Sequence, residues 1–246
     1  MRACGLLGDS AEGTCDVIIT KPRDWERIIA NFDEAGATRI FIMGCGQCAT
    51  VAKTGGEDEV HVAAAKLKEG GREVTGWAIG EVTCHEGGTR LTTRKNSGSI
   101  ESAEAVLVLS CGAGVQTVAD ATDKPVFPGL ESAFLGNVVR HGVFEERCQM
   151  CGECVLDLTA GICPVTTCPK GLLNGPCGGM WEGKCEVVTD RECTHVLIRR
   201  RLESQGRGRA AGAAGSGVLA PKDFSKKLKP GKVNLREGRT RGESSR

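Results

Sequence analysis

Apolar positions follow two regimes along the chain. Up to about residue 128 they form short continuous runs, separated by segments in which they recur every three or four residues. Val17, Ile18 and Ile19 make the first run. Pro22 is expected to start a helix in which Trp25, Ile28, Ile29 and Phe32 mark one buried face, with Gly36 ending it. Arg39-Ile40-Phe41-Ile42-Met43 reads as a buried strand that runs directly into Gly44-Cys45-Gly46-Gln47-Cys48. Residues 57–68 follow as a helix, with Val60, Ala64 and Leu67 on one face and Gly70-Gly71 at its end. A strand over 73–82 closes on Cys84-His85, and a strand over 105–109 runs into Ser110-Cys111-Gly112-Ala113-Gly114. Residues 115–121 continue as a helix, and 125–128 form a fourth short strand. Strands that alternate with helices and consist of uninterrupted apolar runs indicate an α/β domain with a parallel sheet, Rossmann- or flavodoxin-like, because such a sheet is covered on both faces.

Beyond that point the pattern breaks. Residues 131–146 read as a linker in which Phe134, Leu135, Val138 and Val139 keep helical spacing and are expected to pack back onto the sheet. From 145 to 194 the main large apolar side chains are Leu156, Leu158, Ile162, Leu172, Leu173 and Trp181. A core of that size over about fifty residues is marginal. Residues 196–202 read as a short helix carrying Arg199, Arg200 and Arg201 as a solvated face. From 205 onward there are eleven Lys/Arg against three acids, and the Ala/Gly/Ser stretch 211–217 cannot bury enough surface to offset its ordering entropy. The expected organisation is a leader (1–16), an α/β domain (17–144), a small cysteine-rich metal- or cluster-binding domain (145–204) and a disordered basic tail (205–246). The tail is either solvated or a docking segment for an acidic partner.

Composition narrows the function. The 246 residues carry a formal charge of +1, so no global field for nucleic acid or membrane is implied. Tyrosine is absent and aromatics make up 4% of the chain, which leaves little for base stacking. No apolar run approaches the roughly 20 residues of a membrane span. The first ten residues lack the apolar stretch of a secretory signal, so a cytoplasmic location is expected. In that reducing compartment the fourteen cysteines are read as ligands rather than disulfides.

Eight of those cysteines fall between 148 and 193: Cys148, Cys151, Cys154, Cys163, Cys168, Cys177, Cys185 and Cys193. The C-x2-C-x2-C run lets thiolates reach one centre from a single turn, and the neighbouring prolines and glycines bend the backbone so that its N–H groups can face sulfur. Eight thiols suit two four-coordinate centres, whose binding would supply the stability that the small core lacks. Two [4Fe–4S] clusters are favoured, with one cluster plus zinc, or two zincs, as alternatives. Spacing does not say which cysteine serves which centre. In the first domain Cys45 and Cys48, Cys84, and Cys111 follow three different strands at their carboxyl ends, where open α/β sheets bind ligands. Four thiols from three such turns suit a further [4Fe–4S] cluster, with Gly44, Gly46, Gly112 and Gly114 allowing close approach. A redox dithiol at Cys45/Cys48 and ordinary buried thiols are the competing readings. His85 reads as a turn residue, and Cys4 and Cys15 as spare thiols. No complete phosphate-loop or dinucleotide fingerprint occurs.

The run Cys148-Gln-Met-Cys-Gly-Glu-Cys, the Cys163-Pro and Cys168-Pro-Lys pairs, Asn174-Gly-Pro-Cys-Gly-Gly and Gly183-Lys-Cys-Glu-Val together resemble the methylenetetrahydrofolate reductase C-terminal family. Gly44-Cys-Gly-Gln-Cys-Ala-Thr, Gly55-Gly-Glu-Asp-Glu-Val and Ser110-Cys-Gly-Ala-Gly-Val-Gln resemble the amino-terminal domain of the small iron–sulfur subunit of two-subunit reductases. The resemblance spans roughly residues 15–204 and departs at Ala52, where members commonly carry a cysteine. The tail has no counterpart in it. It implies an electron-transfer subunit serving a flavin-containing methylenetetrahydrofolate reductase subunit in one-carbon metabolism, fed by ferredoxin or an NADH-oxidising subunit. Alternatives are a zinc-stapled scaffold of the same complex, a relay for a heterodisulfide-reductase-like or corrinoid partner, and a thiol oxidoreductase using Cys45 and Cys48.

Overall fold

The structure is a computed structural model that describes residues 18–140, 142–207 and 219–221, with backbone alone at 233–234 and 239–240. The expectations for the leader, for Cys4 and Cys15 and for most of the tail lie outside the described residues. The chain divides at Glu146/Arg147 into two compact units.

In the first unit the elements run β1 (Ile18–Pro22), α1 (Trp25–Glu34), β2 (Arg39–Cys45), α2 (Cys48–Val51), α3 (Glu57–Glu69) and β3 (Glu73–Gly80). They continue with α4 (Glu86–Lys95), α5 (Ser97–Ser102), β4 (Ala105–Leu109), α6 (Gly112–Ala119), β5 (Val126–Pro128), β6 (Leu130–Arg140) and β7 (Val143–Cys148). Four strands form a parallel sheet in the order β3-β2-β4-β5. Alternate residues of its central strands serve opposite faces. Ile40, Ile42 and Leu107 pack with Ile28 and Phe32 of α1 and Val60 and Leu67 of α3. Phe41, Met43, Val106 and Val108 pack with Ile100 of α5 and Val118 of α6. Covering on both faces is why these strands are apolar at every position rather than at every second one.

A second, three-stranded sheet has the order β1-β6-β7, with Ile18 opposite Leu135 and Pro22 opposite Leu130 in antiparallel register. This corrects two expectations. Pro22 ends a strand rather than starting a helix, and α1 begins at Trp25 behind Asp24, whose carboxylate accepts from the Glu26 N–H at 3.1 Å. Residues 131–146 are strands and not a helical linker, because β1 supplies a main-chain ladder that spacing cannot reveal. At Gly136 a Cβ would stand 2.2 Å from the Glu145 carbonyl oxygen, a backbone approach that belongs to a sheet.

Helices α4 and α5 occupy a stretch to which the apolar pattern assigns nothing. The buried positions of α4 are Thr89 and Thr93, one turn apart. Thr89 Oγ1 donates to the Thr83 carbonyl at 2.8 Å, so a polar residue fills the place where an aliphatic one would have shown a helix face.

The second unit has little regular structure: α7 (Pro164–Thr167), α8 (Thr194–Ser204) and a two-residue pair, β8 (Val233–Asn234) with β9 (Arg239–Thr240). Its described core is Ala160, Ile198 and Leu202, with Ile162 against them. Glycine in the left-handed region recurs at Gly152, Gly161, Gly171, Gly175 and Gly183, with Met150, Ala160 and Glu182 there as well, so loops rather than ladders carry the chain.

Candidate metal centres

Strand order decides where the first set of thiols meets. From β2 the chain passes through α2 and α3 to β3 on one side, then through α4 and α5 to β4 on the other. The direction of winding reverses between β2 and β4, and the carboxyl edge at such a reversal is the place where open parallel sheets bind ligands. Cys45 is the last residue of β2, and Cys48 is the first of α2. Cys84 lies in the turn between β3 and α4, and Cys111 is the N-cap residue of α6. All four therefore stand where the chain passes from the carboxyl end of a strand into a helix.

The electrostatics place the four in one neighbourhood. Burial raises the Cys84 thiol, and the charges of Cys111, Cys45 and Cys48 raise it further. Cys45 goes the other way. Burial alone would raise it, but hydrogen bonds led by those from the Thr83 and Gln47 backbone N–H groups outweigh that and lower it. Cys45 therefore ionises more readily than its burial alone would allow, which suits a ligand more than a packing thiol. A Cβ at Gly44 would crowd Ile79, the Gly55 carbonyl and Val60, one at Gly114 would crowd Ser110, and Gly46 has backbone oxygen at 3.2 Å from a would-be Cβ, so these close approaches are to the protein's own atoms. Gly112 has room: a Cβ there would meet only the Ser132 hydroxyl, at 3.7 Å.

Neighbouring polar groups, not Cys111 or Cys84, cap the helices that follow. Ser132 Oγ, on β6, accepts the Gly112 N–H at 2.9 Å, the first amide of α6, while Cys111 makes no side-chain cap. His85 Nδ1 accepts the Gly88 N–H at 3.0 Å and caps α4, in keeping with its reading as a turn residue. Apart from His85, these supporting groups were not visible in the chain's patterning. Ser110 has the single signal of preceding Cys111 at a strand end.

In the second unit the backbone also turns toward sulfur. The Met150 N–H donates to Cys148 Sγ at 3.2 Å, within a C-x2-C turn whose Met150 has φ +51° and Gly152 φ +81°. Cys151 Sγ donates to the Glu153 carbonyl at 3.6 Å. Cys163 and Cys168 flank α7, and Cys193 is the N-cap of α8. A small cavity of about 20 Å³ is lined by Cys168, Cys177, Cys185 and Cys193 together. Beside it Cys177 Sγ donates to Glu186 Oε2 at 3.4 Å, and Lys170 pairs with the same carboxylate. His195 Nε2 donates to the Leu172 carbonyl at 2.9 Å, and burial lowers its pKa. A separate open cleft of about 680 Å³ includes Cys168, Leu172, Asn174, Leu219 and Pro221.

All twelve described cysteines carry thiols. Among the described residues, no three His, Cys, Asp or Glu side chains are grouped to hold a single metal ion. The metal-binding expectation for both units therefore rests on donor chemistry and neighbourhood, not on a preformed ligand cage.

The family model described as methylene-tetrahydrofolate reductase C terminal matches residues 127–224. It starts in β5 and runs past Pro221, so it exceeds the expected cysteine-rich domain at both ends. The first twenty residues of the segment read as a tail therefore have a family counterpart. No curated protein and no solved structure matches the chain.

Proposed function

Residues 127–224 belong to the methylene-tetrahydrofolate reductase C-terminal family, and from that premise we propose that the chain is a non-catalytic electron-transfer subunit of a methylenetetrahydrofolate reductase. The family match associates the chain with that reductase and with one-carbon metabolism. The relay role is supported chiefly by the convergence of Cys45, Cys48, Cys84 and Cys111 at the carboxyl edge of the parallel sheet.

In this reading those four thiolates hold one [4Fe–4S] cluster. Cys168, Cys177, Cys185 and Cys193, which line one cavity, hold a second centre, and Cys148, Cys151, Cys154 and Cys163 hold a third. Zinc is the alternative at one of the latter two. Clusters of this kind supply one-electron steps, two of which make the pair that a partner's flavin passes on as hydride. The chain's own residues stabilise negative charge and keep the thiols from capping their helices. The Thr83 and Gln47 amides favour ionisation of Cys45, and Ser132 and His85 satisfy the helix amides beside Cys111 and Cys84. The partners are a flavin-containing reductase subunit and, as electron source, ferredoxin or an NADH-oxidising subunit. No described helix is long and apolar enough to cross a membrane, and the proposed location is cytoplasmic.

The test is iron, sulfide and zinc per chain on anaerobically purified protein, with EPR after dithionite reduction. The expected result is about eight to twelve irons with matching sulfide, two or three four-iron clusters, and a reduced-cluster signal. Zinc without iron in protein never exposed to air would overturn the relay and favour a zinc-stapled scaffold.

A further inference from the structure

Ser110 closes the carboxyl end of β4 with a side chain that is 1% exposed, and its hydroxyl has no hydrogen-bond partner. Leaving a buried hydroxyl unpaired costs about 1–3 kcal/mol, and alanine at the same place would avoid that cost. The chain even clears space for it. Gly114, in the first turn of α6, faces Ser110 so closely that a Cβ would stand 2.2 Å from the hydroxyl oxygen and 3.0 Å from the Ser110 Cβ.

Gly44 and Leu109 are register partners in the parallel pair of β2 and β4, so Ser110 follows β4 next to Cys45 at the end of β2. Thr83 also faces the Cys45 sulfur, but the Thr83 hydroxyl proton is committed to the Gly44 carbonyl at 3.0 Å. Ser110 thus holds an uncommitted O–H next to a buried sulfur, where a hydrogen bond is little screened by water.

We propose that Ser110 is a positioning residue for the redox centre at the strand ends: its hydroxyl donates to Cys45 Sγ when that sulfur is a cluster-bound thiolate, and so raises the centre's reduction potential. The inference rests on the relay reading above and deepens it. Reduction adds one electron to the centre, with no bond to the protein made or broken and no proton required. The reduced form is the more negative, so a donor to a ligand sulfur stabilises it more than the oxidised form.

The experiment is a redox titration followed by EPR on the full chain with its clusters loaded, comparing the parent with Ser110→Ala. The signal of this centre is identified by its loss in Cys45→Ala. Ser110→Ala is expected to keep its iron and leave the other signals in place, while this one midpoint moves to more negative potential. A tenfold shift of the reduction equilibrium corresponds to ~59 mV for one electron. Its metal-free form is expected to be at least as resistant to urea as the parent, which a merely structural serine would not allow. Gly114→Ala, whose added methyl displaces the hydroxyl without removing it, is expected to move the midpoint in the same direction and keeps the test decisive if Ser110→Ala loses the centre. An unmoved or more positive midpoint in protein that holds its iron overturns this inference alone. A chain that binds no iron overturns the relay and the inference together.

Discussion

In the amino-terminal unit the cysteines are mounted on a structure that stands without them. Fifteen buried residues on one face of the parallel sheet and eight on the other make a continuous two-sided core, and the thiols sit at its rim. In the carboxyl-terminal unit three buried residues make the described core, and eight cysteines are spread through loops that hold left-handed backbone at several positions. Hydrophobic burial can carry the first unit, whereas the small described core of the second leaves room for the proposed ligation to supply its stability. Similar thiol chemistry would therefore serve two ends: placement of a redox centre on a ready scaffold, and the folding of a domain.

The largest test of that contrast is metal removal. Chelator-stripped protein is expected to lose hydrogen-exchange protection across 147–207 while 18–140 keeps its own, a difference on the order of 10 kcal/mol in support. Equal protection of both units without metal would break the comparison. Next in size is Leu107→Ala, at a side chain with no exposure in the middle of the sheet. It is expected to destabilise the first unit by about 2–5 kcal/mol, read from urea unfolding, by the same amount with or without metal. Ser132→Ala removes the acceptor for the first amide of α6 and is expected to cost about 1 kcal/mol. If Ser132 serves the Cys111 turn as argued, the variant also lowers the iron retained during gel filtration, whereas Leu107→Ala in its folded state does not.

The smallest effect concerns pH. Glu104 accepts from the Thr38 and Arg39 amides, the Thr38 hydroxyl and the Arg39 guanidinium, and joins the turn before β2 to the one before β4. Those bonds, the Thr38 amide first, lower its pKa from 4.5 to about 2. A depressed carboxyl stabilises the fold fully above the unfolded pKa, and the contribution is lost as pH falls from about 4.5 through about 2. The urea midpoint of metal-free Glu104→Gln is therefore expected to lie below the parent's at pH 6 and to converge with it near pH 2. A gap that persists at pH 2 would remove the carboxylate from the account.

Much of the scaffold is legible in the chain because its signals are local. A run such as 39–43 or 105–109 announces a strand covered on both faces, and Val60, Ala64 and Leu67 announce the helix between. The hairpin strands 130–140 and 143–148 were hidden because Phe134, Leu135, Val138 and Val139 also satisfy a helical period, and their partner β1 lies more than a hundred residues away. Helix α4 was hidden because threonines fill its buried face. The twelve candidate cysteines were visible as residues, but the grouping of Cys168, Cys177, Cys185 and Cys193 around one cavity was not.

By itself the sequence determined the α/β character of the first unit, the poverty of apolar side chains in the second, and the placing of Cys45, Cys84 and Cys111 after successive strands. Each of these depends on residues within a few positions of one another. Only the tertiary structure decided that β2 and β4 flank the reversal in strand order, that Ser132 from another sheet caps the helix after Cys111, and that Ser110 keeps an unpaired hydroxyl against Cys45. Those depend on which distant backbones lie side by side, and neither periodicity nor spacing records that.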